Sequence, residues 1–170
     1  TYHYKNSIER KSLRVTSAHN TLNFGYLSSQ DKYLGPFLWG ARHISSGKSL
    51  GHGQFKGSVR WYSGETHSRE ICVSENRLFV SDSWRGKNYP AIVFTISHDL
   101  CRFVFLDEDD VVFIHGKTCK CYLKAVACSV EIKDVKVSPD FYELVDSKKI
   151  IVHPQKTVGE QTIEIGWEFY

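Results

Sequence analysis

The chain has 170 residues, of which 41% are hydrophobic and 24% charged, with a net charge of +3. That length suits one domain with enough chain to bury a real core, and that composition describes a globular protein. The charge is too small to argue for nucleic acid, since no Lys/Arg block or aromatic-studded basic patch accompanies it.

In chain order, Thr1 to Lys11 reads as irregular or edge structure. From Arg14 a basic, hydroxyl-rich approach ends in His19-Asn20-Thr21, and Leu22 opens an alternating run, the pattern of a turn entering a strand. Phe37-Leu38-Trp39 leads through Ala41-Arg42-His43-Ile44 as β-like sequence, and 45–53, rich in Ser and Gly, reads as a loop. Residues 54–62 form a strand, and Arg69–Ser74 and Arg77–Val80 a hairpin around Glu75-Asn76. Residues 84–90 are a loop. Residues 91–97 alternate, with Ile92, Phe94 and Ile96 on one face and Val93 and Thr95 on the other, and 101–106 repeat the pattern. Asp107-Glu108-Asp109-Asp110 is an acidic turn whose oxygens are spaced too closely for a calcium loop. Residues 111–115, 121–132, 135–137, 150–153 and 162–169 complete the strands, with at most a helical turn at 140–145.

Turns recurring about every 8–12 residues, with no sustained helical spacing, predict an all-β antiparallel sandwich of many short strands, one domain spanning 1–170. No apolar run reaches the ~18 residues of a membrane helix, and no signal-peptide pattern opens the chain. The chain contains no Met, and we expect an excised or processed piece of a larger protein.

Five cysteines leave one unpaired in any disulfide scheme, and Cys119 and Cys121, two apart on a strand, share a face at a spacing poor for a mutual bond. Cys72, Cys101 and Cys128 lie in apolar runs and read as buried small hydrophobes. Trp39, Trp61 and Trp84 suit either sugar stacking or the core, and His43, His52 and His67 could meet only through tertiary folding. Gly47-Lys48-Ser49 lacks the leading Gly and following helix of a phosphate loop.

One segment carries a sharper signal. Thr16-Ser17-Ala18-His19-Asn20-Thr21-Leu22 resembles the T-x-A-H-N-T-V element of the heparinase II/III-like polysaccharide lyases. Phe24-Gly25-Tyr26, Ser29-Gln30 and Gly35-Pro36-Phe37 follow in the family's order. His67-Ser68-Arg69-Glu70-Ile71 with Arg77-Leu78-Phe79-Val80-Ser81-Asp82 is similar to its H-R-R-x-V … L-x-V-x-D strand pair.

The resemblance implies the C-terminal sandwich of an enzyme whose helical α/α toroid lies upstream. The whole enzyme would cleave an acidic, uronic-acid-containing polysaccharide (heparan sulfate, alginate or hyaluronan in type) by β-elimination, with no organic cofactor. It implies that His19 is a metal ligand, to zinc or another divalent ion, beside an upstream His and Asp expected before Thr1. Thr1-Tyr2-His3-Tyr4 would continue the family's D-x-G-T-Y element. Tyr4 is then the candidate for proton transfer, and His3, Arg42 and Arg69 for contacts to the anionic sugar. The family works mainly in the periplasm or outside the cell. The alternative is a non-catalytic carbohydrate-binding or structural sandwich.

Overall fold

The computed structural model describes residues 8–14, 16–25, 33–35, 38–39, 43–100, 102–140 and 143–170. Helix α1 (Ile8–Arg14) and a 3-10 turn (Thr16–Ala18) lead into β1 (Leu22–Asn23). A small pair, β2 (Tyr33–Gly35) and β3 (Leu38–Trp39), precedes four long strands in two hairpins: β4 (Ile44–Gly51), β5 (Gln54–Arg60), β6 (Thr66–Ser74) and β7 (Arg77–Arg85). Then come β8 (Ala91–Thr95), β9 (Phe103–Leu106), β10 (Val111–His115) and β11 (Cys119–Ala125), followed by β12 (Ser129–Val137), β13 (Val145–His153) and β14 (Val158–Phe169).

All ladders are antiparallel, in an eight-stranded sheet ordered β4-β5-β6-β7-β14-β11-β10-β9 and a four-stranded sheet ordered β1-β8-β13-β12. The chain passes from the small sheet to the large one between β1 and β4, by way of the β2-β3 pair, and changes sheet again after β7, β8, β11 and β13. Between them lies the core that alternation builds: Leu22, Ile92, Phe94, Val130, Ile150 and Val152 from the small sheet meet Val80, Trp84, Val112, Leu123 and Ile163 from the large one. Trp61 and Trp84 are among these buried residues, and Phe24 meets Trp61 edge to face with centroids 5.7 Å apart. The predicted all-β sandwich and the hairpin at Glu75-Asn76 are both present.

Local expectations are corrected at several points: Trp84 and Arg85, read as the start of a loop, end strand β7, and Cys72, read as buried, is only partly so. Residues 8–14 form a helix, where irregular or edge structure was expected through Lys11; Ser12 Oγ donates to Glu9 O at 2.7 Å inside it. The run 121–132 is not one strand. It breaks at 126–128, where Ala127 takes φ 59°, because the chain leaves the large sheet there for the small one. Finally, 45–53 is mostly strand. Residues 44–51 pair with β5 and turn through Gly51, His52 and Gly53 at φ 83°, 48° and 73°. The small sheet does not reach over β4, which is exposed along its whole length. A strand with water on both faces needs no apolar alternation, so its sequence looks like a loop.

Candidate functional site

The strand alternation of β6 and β7 carries polar residues into the core. His67 and Arg69 share a face with Ile71, and Asp82 shares one with Val80 and Trp84; the ladder sets His67 opposite Trp84 and Arg69 opposite Asp82. Asp82 is completely buried. Its Oδ1 accepts from His67 Nε2 at 2.5 Å and from Arg69 Nε at 2.8 Å, and its Oδ2 accepts from Arg69 Nη2 at 2.8 Å. The Arg69 contact is a two-pronged fork, the strong form of a carboxylate pair. Burial pushes the Asp82 pKa up, but the hydrogen bonds and positive charges of His67 and Arg69 outweigh it and hold the carboxyl below its ordinary value.

The same guanidinium reaches the segment that carries the sequence signal. Arg69 Nη1 donates to Asn20 O at 2.6 Å, and Arg69 also lies over the Phe94 ring, 5.6 Å from its centroid. Asn20 Oδ1 in turn accepts from Thr95 N at 2.6 Å. One asparagine therefore ties β6 of the large sheet to the end of β8 in the small one. Beside it, Val93 N donates to Thr21 O at 2.8 Å, Leu22 pairs with Ile92, and Lys149 Nζ donates to Ser17 O at 2.6 Å. Burial, with Lys133 nearby, lowers the Lys149 pKa.

His19 sits between these anchors. Its N–H donates to Thr16 O at 3.1 Å and its carbonyl accepts from Thr21 N at 2.9 Å, while the residue itself is exposed. The arrangement presents an imidazole on a backbone fixed at both sides. Among the described residues no group of three or more His, Cys, Asp or Glu could hold a metal ion. His19 is thus a single donor, suited to a metal shell only if the other ligands come from elsewhere.

Of the other sequence candidates, Tyr4, His3 and Arg42 lie outside the described residues. Arg69 has its guanidinium directed inward onto Asp82 and Asn20. His43, His52 and His67 are not brought together. His43 precedes β4, His52 lies in the turn beyond its other end, and His67 is buried on β6. Asn20 and Asp82 stood in the quoted motifs without a role. The available signal was phase: charged residues on the apolar face of a strand must find partners inside.

With this geometry in hand, the family description "Heparinase II/III-like, C-terminal" matches residues 1–168. The chain belongs to this family. Solved structures support the fold of this heparinase II/III-like C-terminal domain. The heparan sulfate lyase HepC from Pedobacter heparinus superposes with a TM-score of 0.73 at 13% identity, over 99% of this chain and 28% of that one. The heparinase III BT4657 gene product superposes with a TM-score of 0.69 at 13% identity, over 99% of this chain and 27% of that one. The present chain therefore spans little more than a quarter of the length of these lyases. No curated protein sequence matches it closely enough to count as a relative.

Proposed function

We propose that the whole protein is a polysaccharide lyase acting on an acidic, uronic-acid-containing polysaccharide, and that this domain closes one wall of its cleft. The reading is supported by the family match and, above all, by the bolting of the His19 segment to both sheets through Asn20. Elimination needs three things: a neutralised uronate carboxylate, removal of the proton at C5, and protonation of the departing O4 oxygen. A helical toroid upstream supplies most of the acid and base, Tyr4 assists the proton transfer, and His3 and Arg42 contact the anionic sugar. The geometry of Arg69 favours a different part for it, holding Asn20 and hence His19 in position. His19 contributes one imidazole to a site for zinc or another divalent ion completed by residues outside this domain. When bound, that ion supplies a fixed positive charge at the domain junction. The site of action is the periplasm or the cell exterior.

The test is His19→Ala in the full-length protein, with His43→Ala as control. After dialysis against a weak chelator, elemental analysis of the His19 variant should read well below one metal per chain, and the absorbance of unsaturated uronate product should grow more slowly. Wild-type metal content and wild-type rate in that variant would remove the ligand role. A protein with no elimination activity on any uronic polysaccharide would leave the non-catalytic carbohydrate-binding reading.

A further inference from the structure

The large sheet has a second face, turned away from the core. On its β4-β5-β6-β7-β14 half, the register lines up three rows across the strands. The central row is Ser46, Ser58, Ser68, Ser83 and Glu160, four hydroxyls side by side. On one side runs a row with Arg60 on β5 and Arg85 on β7; on the other, Lys48 on β4 stands opposite Lys56 on β5. Lys56 is paired with Glu70, whereas none of Lys48, Arg60 and Arg85 has an ion-pair partner among the described residues. All three are exposed, and the whole span 43–60 holds no Asp or Glu. With Lys56 answered by Glu70 on β6, the uncompensated cations of this face are Lys48, Arg60 and Arg85, against one further carboxylate, Glu160, at the end of the serine row.

We propose that this outer face binds a strand of anionic polysaccharide lying across the β-strands. The chain would follow the serine row, its hydroxyls bonded by serine Oγ atoms, with its sulfate or carboxylate groups met by cations on both sides. Arg60 and Arg85 stand two strands apart, roughly 9.6 Å, close to one disaccharide of an extended glycan. The flanking rows lie roughly 6.7 Å from the serines, within reach of long basic side chains. No aromatic ring stands in the three rows, so recognition is by charge and hydroxyl pairing, not by stacking of neutral sugars or of nucleic-acid bases. The face lies on the opposite side of the sheet from His67, Arg69 and Asp82, and the proposal does not depend on the elimination reaction.

Fluorescein-labelled heparin, read by anisotropy with the full-length protein, tests it. The wild type should bind and weaken steeply with added salt. Arg60→Gln with Arg85→Gln should bind about tenfold more weakly, with a shallower salt dependence, as should Ser58→Asp with Ser83→Asp. Lys124→Gln, on the β11 half of the same face, should bind as wild type does. Unlabelled dextran should not compete. Failure of the wild type to bind, equal binding by both double variants, or equal competition per charge by a single-stranded oligonucleotide would each overturn the proposal. None of these readouts requires cleavage, so a protein without lyase activity still gives a decisive answer.

Discussion

Replacing Arg69 by Ala should be among the most damaging single changes in the domain, and its cost should depend on pH. Asp82 is wholly buried and takes two of its three hydrogen bonds from Arg69. Removing the guanidinium leaves a buried carboxylate with His67 alone, a situation that costs about 3–5 kcal/mol. For a chain of this size each kcal/mol lowers the melting point by about 2–4 °C, so the loss should be on the order of 10 °C. In the wild type the folded pKa of Asp82 lies below the ordinary 3.8. Its stabilising contribution is therefore complete above that ordinary value and is lost as pH falls through the lowered one. Without Arg69 only His67 opposes burial, so the folded pKa of Asp82 lies above its wild-type value. The variant therefore lacks part of the stabilisation that ionised Asp82 gives the wild type, and that shortfall grows as pH rises from the wild-type folded pKa towards the variant's. The gap between wild type and variant should be small in acid and widen towards neutrality. Urea melts of both proteins from roughly pH 3 to pH 7 measure this directly. A gap that is flat with pH, or below about 1 kcal/mol at neutrality, would refute the reasoning. Arg69→Met with Asp82→Asn, which removes both charges, should recover much of the loss.

Asn20→Ala should cost about 1 kcal/mol by leaving Thr95 N without its acceptor, and hydrogen exchange at the Thr95 amide should accelerate. Gly86→Ala would set a Cβ 2.2 Å from the Phe24 ring, which is buried against Trp61, so we expect about 1–3 kcal/mol of destabilisation in thermal melts. The Cys121 thiol is pushed up to about 11 by burial and by Cys119 beside it, the two Sγ atoms being 4.0 Å apart. At neutral pH it should therefore react with iodoacetamide far more slowly in the native protein than after unfolding, as peptide mass mapping would show.

Much of the architecture was legible because most strands have one face in the core and one in water. That arrangement imposes a two-residue period, and 91–97, 111–115 and the hairpin at Glu75-Asn76 carried it plainly. The family was legible because the His19-Asn20-Thr21 segment is a particular set of side chains at a particular strand entrance. Tertiary structure decided what period alone could not. Strand β4 was hidden because the small sheet stops short of it, and the break at 126–128 because a change of sheet leaves the apolar composition unaltered. The role of Asn20 was hidden because its partners, Arg69 and Thr95, lie 49 and 75 residues away along the chain. Alternation could place His67, Arg69 and Asp82 on an inward face, but only the register of β6 against β7 set the fork of Arg69 onto Asp82. Whether a charge buried on a strand is a liability or a strut depends on what the neighbouring strand places opposite it, and that is a property of the assembled sheet.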